Sequence, residues 1–349
     1  EADARLFRSG SLRLAGRLED ARSDAALALA FRLQRGNALA IAEARLALAE
    51  AERAAGRWQA AVGEADAVLA LYRETQAGGQ ALAIALLLRA RLHTAAGERE
   101  AALSAYAQAQ QALEDHRARV GGDEDVRARW AAQYRAIYVE PLLLRVQHGE
   151  TGAALEAERR YRQAALRRFA HTPDASGSVP APGASAPSPS PAERLAPDQA
   201  LLSFVVADTG VIAWVHRAEQ AAPAPQFIPI ARSALAERIE ALRVLASRGD
   251  LGEAGLRAFV TQSHALYRDL LQPLQPALQD SRRWLISPDD ALRSLPWAAL
   301  ATADGTDPTW LIERVSLSQT VSPEAFALAH AEVDAVSDED AVIGLAASL

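Results

Sequence analysis

Hydrolytic or transfer chemistry needs a nucleophile, a base or a set of metal ligands, and this sequence supplies each of them sparsely. None of its 349 residues is cysteine, so residues 1–349 contain no thiolate to attack a carbonyl and no disulfide. Serines are plentiful, but none sits in the G-x-S-x-G turn that exposes a nucleophilic hydroxyl. The histidines (His93, His116, His148, His171, His216, His264 and His330) are scattered, with no two close enough for a short-range metal pair. Glycine-rich phosphate loops of the P-loop or dinucleotide type are absent. Acidic pairs such as Asp289/Asp290 and Glu339/Asp340 fall in turn-like sequence, where solvation accounts for them. The expectation is therefore no catalytic residue, no cofactor and no metal site within these residues.

Asp289 and Asp290 matter more for where they stand than for acid–base work. Trp284-Leu-Ile286 is a short apolar run of strand length, and Ser287-Pro288-Asp289-Asp290 stops it abruptly. Pro296 then forbids a smooth helix through Leu292–Leu300. A strand that runs into a constrained, half-apolar elbow is how many α/β proteins build the rim of a site. Asp289, Asp290, Pro296 and Trp297 are the residues expected to shape such a rim.

Composition limits what can surround this elbow. A chain of this length divides most naturally into two domains, and half of it is apolar, enough for a packed core. The net charge of −7 gives no electrostatic reason to expect nucleic acid or an anionic membrane as partner. No apolar run is long enough to span a bilayer. All basic residues are arginine, methionine is absent and Asn37 is the only asparagine, as a GC-rich coding sequence produces. The sequence opens on Glu1 without a methionine, so a native start further upstream is expected.

Residues 1–171 carry apolar side chains at three- and four-residue spacing, with Pro141 as their only proline, and read as helices throughout. The helices recur. Ala15-Gly16-Arg17, Ala55-Gly56-Arg57 and Ala96-Gly97-Glu98 are matching turns spaced by 40 and 41 residues, and His148-Gly149-Glu150 is a fourth. Five residues past each glycine stands Ala21, Ala61, Ala102 or Ala154. A glycine turn followed by a small residue lets two antiparallel helices pack closely. This pattern resembles the tetratricopeptide repeat in a longer-period form. The resemblance implies a solenoid whose inner groove is lined by the first helix of each pair, which places Glu43, Glu50, Arg53, Arg91 and Thr94 on the concave side. They are the expected contacts for a protein or peptide partner; the competing reading is that they are ordinary solvated helix residues.

Residues 172–197 hold seven of the seventeen prolines, interleaved with Ser, Gly and Ala, and are expected to form a flexible tether. Beyond them the period becomes strand-like. Leu201–Ala207 and Val211–His216 predict a hairpin, and Gln226–Ile230 predicts an edge strand interrupted by Pro229. Helices are predicted from Ser233, as cap, to about Ser247, and from about Glu253 to Leu271. After the elbow come a short strand pair, Trp310–Glu313 with Val315–Gln319, a helix past Pro323, and a strand opening at Ala341. A domain does not normally finish on the opening of a buried strand, so the expectation is a fragment of a longer protein.

Several of these stretches together resemble the CHAT domain, the caspase-like domain found attached to tetratricopeptide repeats. They are Leu201-Leu-Ser-Phe-Val-Val206, Leu266-Tyr-Arg-Asp-Leu-Leu-Gln-Pro-Leu274, Leu285-Ile-Ser-Pro-Asp-Asp-Ala-Leu-Arg-Ser-Leu-Pro-Trp-Ala-Ala-Leu300, Trp310-Leu-Ile-Glu-Arg314 and Ser316-Leu-Ser-Gln-Thr-Val-Ser-Pro323. Asp290 stands where the family usually has glycine and Trp297 where it usually has phenylalanine; Asp tolerates a left-handed backbone better than most residues, and Trp keeps an aromatic anchor. The resemblance implies an all-α, TPR-like solenoid (1–171), a tether (172–197) and the N-terminal part of a caspase-like α/β domain (198–349). It also implies cysteine-peptidase chemistry by a His/Cys dyad downstream of the elbow, which no residue here can inherit. Two functions stay open: the partner-recognition, non-catalytic portion of a CHAT-type cysteine endopeptidase of the reducing cytoplasm, or a non-enzymatic scaffold or signalling adaptor.

Overall fold

The computed structural model describes residues 1–75, 78–119, 124–166 and 190–327, except 219, 221, 249–251, 304, 306 and 307; at 117–119, 124–133, 165 and 166 it describes backbone only. The predicted strand at 341–346 and the pair Glu339/Asp340 lie outside these residues. The chain forms two compact units, Glu1–Pro141 and Leu142–Leu349. In class it is a helical solenoid followed by an α/β domain built on a small mixed sheet.

The predicted helices form in pairs: α1 (Ala2–Leu14) with α2 (Leu18–Arg35), α3 (Ala38–Ala54) with α4 (Trp58–Glu74), α5 (Gln80–Ala95) with α6 (Arg99–Arg119), and α7 (Glu124–Gln147) with α8 (Thr151–Leu166). Each pair turns at its repeat glycine. Gly16, Gly56, Gly97 and Gly149 have φ of 74°, 73°, 75° and 72°, a left-handed backbone that side chains with a Cβ resist. The residue after each glycine returns its N–H to the first helix: Arg17 to Leu12 O, Arg57 to Glu52 O, Glu98 to His93 O and Glu150 to Arg145 O. Ala21, Ala61, Ala102 and Ala154 are each fully buried, as close helix approach requires. Successive pairs then stack. Ala25 and Leu29 of α2 meet Ile41, Ala44 and Leu48 of α3, and Ala61 and Ala65 of α4 meet Leu88 and Leu92 of α5.

Pro141 lies inside α7, where it cannot donate to the carbonyl of Ile137. Gln110 of α6 takes that role instead, its Nε2 donating to Ile137 O at 3.0 Å. The break in the helical ladder is thus satisfied from a neighbouring helix.

In the second unit, β1 (Gln199–Ala207), β2 (Gly210–Arg217), β3 (Gln226–Ile228), β4 (Arg283–Ser287) and β5 (Ser316–Gln319) form one sheet in the order β3-β2-β1-β4-β5. β1–β2 and β2–β3 are antiparallel; β4 runs parallel to β1, and β5 parallel to β4. One face carries the main core: Leu202, Phe204, Val206, Ala213, Trp284 and Ile286 pack on α10 (Arg232–Ala246), α11 (Gly252–Leu270) and the elbow's Trp297 and Leu300. On the other face Leu201 and Leu285 meet Leu195 and Phe326. Leu195 follows a single turn, α9 (Pro191–Arg194), with Pro191 and Ala192 also buried. The last part of the segment expected to be tether is therefore packed; residues 172–189 of it lie outside the described residues.

Three local expectations are corrected. Ser233 does not cap α10: the helix starts two residues earlier than that cap implies, at Arg232 with Ala231 at the N-cap, and the N–H of Arg232 is taken by Asp208 O of the hairpin turn. Trp310–Glu313 is not half of a strand pair. Leu311–Arg314 is a helical turn held by the Glu313 carboxylate, which accepts from Trp310 N at 3.0 Å, and Trp310 makes only an isolated bridge to Ala301. β5 pairs with β4 instead. The third correction is Asp289, described below.

Gly210 opens β2 where β3 crosses closely. A Cβ there would stand 2.7 Å from the Ile228 carbonyl and 2.4 Å from the Phe227 ring. The ring can swing aside, but the carbonyl belongs to the strand pair. Gly210→Ala is expected to cost about 2 kcal/mol in urea unfolding, the usual scale for forced overpacking. Among the described residues, no helix is long and apolar enough to cross a membrane.

Candidate functional site

The elbow is built where β4 leaves the sheet before β1 ends. The two strands stay in register only as far as Ser203 opposite Ser287, so from Phe204 onward the backbone of β1 has lost its neighbour. Unpaired backbone groups in a buried position must find other partners. Two side chains supply them. Arg162 of α8 donates from Nη2 to Phe204 O at 2.5 Å and to Ser287 O at 3.2 Å, and from Nη1 to Pro288 O at 3.2 Å. Asp289 accepts from Val206 N at 3.0 Å on one carboxylate oxygen and from the Tyr161 hydroxyl at 2.9 Å on the other. Arg162 and Asp289 thus replace the missing stretch of β4 and tie α8 to the elbow.

This overturns the reading of Asp289 as a solvated turn residue: it is 1% exposed and fully engaged. Asp290 beside it is the left-handed residue of the turn, with φ 51°, the conformation for which glycine is the usual choice. Its carboxylate accepts from Arg232 Nε at 2.5 Å, which ties the elbow to the start of α10. Replacing Asp290 therefore separates strain from pairing. Asp290→Ala loses the ion pair and keeps the strain, for an expected loss of about 1–2 kcal/mol, whereas Asp290→Gly relieves the strain and should stay within about 0.5 kcal/mol of the parent. Thermal melts of both variants check this. Past the turn, two short 3₁₀ segments, Asp290–Ser294 and Trp297–Ala299, flank Leu295-Pro296, as the prolines require. Trp297 is buried, stacks on Phe204 at 5.3 Å, and donates from Nε1 to Leu292 O at 3.2 Å. It is an anchor with its polar atom satisfied.

The sheet face opposite the main core carries buried charge. Glu158 and Arg162, four residues apart on α8, are both buried and paired at 3.1 Å. Arg159 reaches Glu324 at 3.8 Å. Burial pushes the Glu158 carboxyl up, against the pull of Arg162, and the nearby Glu324 adds to the rise. Glu324 is itself raised by burial. The Arg162 guanidinium is opposed by burial but held charged by Glu158 and Asp289. His216 of β2 is pushed down to about 4 by burial, with Arg159 adding to the effect, so its ring is neutral. Glu158 Oε2, Glu324 Oε2, Ser203 Oγ, Trp214 Nε1 and His216 Nε2 are buried without a hydrogen-bond partner among the described residues. Ser203, Trp214 and His216 alternate along their strands with residues of the main core and so face this same side.

In the first unit, the residues expected to line the groove fall into two groups. Glu43 is exposed and accepts from Arg32 Nη1 at 2.8 Å; Arg32, itself buried, also reaches Asp3 and Ala40 O. Seven residues further along α3, Glu50 holds Arg53 at 2.8 Å. Arg91 of α5 grips Glu140 of α7, with Nη2 to Oε1 at 2.7 Å and Nε to both oxygens at 3.1 Å, and it also feels the charge of Glu50. Tyr106 donates to the same Glu140 at 2.8 Å, and burial pushes its phenol up. Thr94 is exposed and bonds Ala90 O of its own helix at 2.9 Å. Glu140, next to the helix-interrupting Pro141, is the hub that sequence reasoning missed; its position nine residues before a repeat glycine was the available signal. Among the described residues, no group of three or more His, Asp or Glu is placed to hold a metal ion.

A helical solenoid leading into an α/β unit with a proline elbow is therefore the class of the protein. Residues 261–349 match the family model of the CHAT domain, and over that stretch the chain is similar to CHAT domains. The match takes in the second half of α11, β4, the whole elbow and β5. No curated protein matches the chain.

Proposed function

We propose that residues 1–349 are the partner-recognition and non-catalytic portion of a CHAT-type, caspase-like cysteine endopeptidase. The observation that carries the reading is the CHAT match over an elbow that is closely packed yet holds no cysteine. Asp289 and Asp290 spend their carboxylates on Val206, Tyr161 and Arg232, while Pro296 and Trp297 fix the chain against Phe204. Such residues shape the wall of a cleft and leave the bond-breaking to others. The absence of any cysteine means that a thiolate, if the whole protein uses one, comes from outside residues 1–349.

The partner is a protein or peptide held by the TPR-like first helices, with Arg53, Arg91, Glu43 and Glu50 at the rim and Thr94 beside them. Nucleic acid and membrane are disfavoured by the net charge and by the pairing of these arginines with carboxylates. A reducing, cytoplasmic setting suits a thiolate enzyme. The lack of cysteine also supports a second reading, a non-enzymatic TPR scaffold or adaptor. The test compares residues 1–349 with the polypeptide extended along its own reading frame. Expected are partner binding by both and peptidase activity only in the extended form, lost when a cysteine encoded beyond Leu349 is changed to alanine. Turnover by residues 1–349 alone refutes the proposal, and an extended frame lacking a His/Cys pair favours the scaffold.

A further inference from the structure

The repeat allows each helix of the solenoid to be compared with its counterpart in the next pair. Counting back from the turn glycine, positions −12, −9, −5 and −2 are Ala44, Ala47, Ala51 and Ala54 on α3, and Ala85, Leu88, Leu92 and Ala95 on α5. These positions form one stripe, spaced as the a and d positions of a heptad. In α3 and α5 the stripe is the face that seats on the preceding pair. Ala44 packs with Ala25 and Leu29 of α2, with Ala47 against the same cluster. Leu88 and Leu92, each 2% exposed, pack with Ala61 and Ala65 of α4.

On α1 the same four positions are Ala4, Phe7, Ser11 and Leu14, and all are exposed. Phe7 and Leu14 are each 81% exposed, the largest values among the exposed large apolar residues of the described chain. A helix that closes a solenoid turns a polar outer face to water. The outer face of α1 is instead a contact stripe without its neighbour.

We infer that this face of α1 is the seat of one more helical hairpin of the same repeat, supplied by the polypeptide upstream of Glu1. The repeat says what that hairpin carries. Leu88 and Leu92 rest on Ala61 and Ala65, five and nine residues past Gly56; Ala21 and Ala25 hold the same places after Gly16. The seat for Phe7 should likewise be a second helix with small residues five and nine positions past a turn glycine, that glycine lying about 40 residues before Gly16.

The experiment uses residues 1–349 and the same chain extended upstream along its own reading frame by one repeat, each with and without Phe7→Glu. In residues 1–349 the substitution falls on an exposed side chain and should leave the melting temperature unchanged. In the extended chain it buries a charge and should lower the melting temperature of the solenoid by several degrees. Three results overturn the inference: an upstream frame without the glycine and small-residue pattern, a substitution silent in both forms, or self-association of residues 1–349 that Phe7→Glu abolishes, which would make a second copy the occupant.

Discussion

Arg162→Ala is expected to destabilise the second unit by about 4 kcal/mol, the scale of a buried ion pair broken from one side. The loss has two sources. Glu158, fully buried on the same helix, keeps its carboxylate without its nearest counter-charge. Phe204 O, Ser287 O and Pro288 O lose the donor that stands in for a strand, and each buried carbonyl left unpaired costs about 1 kcal/mol or more. Urea unfolding followed by tryptophan fluorescence reads this unit, which holds Trp214, Trp284, Trp297 and Trp310. Arg162→Lys should recover only part of the loss, since an ammonium keeps the charge but lacks the planar fork that spans two strand ends. The double variant Glu158→Leu/Arg162→Met should be less destabilised than Arg162→Ala, because it leaves no orphaned charge. If Arg162→Ala shifts stability by less than about 1 kcal/mol, the guanidinium is not the strand substitute described above.

That arginine marks where the sequence stops being legible. The repeat was readable because each hairpin writes itself locally: a glycine that must be left-handed, then an alanine five residues on that must be buried. The elbow was readable for the same reason, since Pro288 and Pro296 act on their own backbone. Even the unusual Asp290 was interpretable, as one of the few residues with a Cβ that accept a positive φ. The role of Asp289 was not, because its partners Val206 and Tyr161 lie 83 and 128 residues away. Nor could α8 be assigned to the α/β unit. Its glycine turn and buried Ala154 belong to the repeat, while Tyr161 and Arg162, a few residues further on, are committed to the sheet. One helix satisfies two patterns, and only the local one is visible in the sequence. Trp310–Glu313 failed for a smaller reason of the same kind: a β-like composition was overruled by one carboxylate reaching back to cap a helical turn.

The charged sheet face makes a second large effect testable, in which two groups pull stability in opposite directions with pH. His216 is neutral in the fold, lowered from 6.5 to about 4, so the unfolded chain binds its proton first. Its contribution is present above pH 6.5 and lost as pH falls toward 4; a shift of that size corresponds to about 3 kcal/mol. Glu158 behaves in the reverse sense. Its carboxyl is raised by burial, so the folded state holds the proton more tightly, and stability is full below the ordinary carboxylate value of 4.5 and declines as pH rises above it. Glu324, raised by the same cause, adds to that decline. Facing these groups are Arg159 and Arg162 on α8, with Asp289 and Tyr161 at the elbow end. Between pH 4.5 and 6.5 the two slopes oppose, and the parent protein should show a nearly flat melting temperature. His216→Phe removes one slope and should tilt the profile upward toward acid, gaining on the parent by about 3 kcal/mol between pH 7 and 4. Glu158→Gln keeps the acceptor for Arg162 and places an amide beside Glu324, so it removes the other slope and should tilt the profile downward toward acid. Opposite tilts are the signature. Parallel profiles for the two variants would mean that neither group's pKa differs between the folded and unfolded chain, and the constant offset from changed packing would be all that remained.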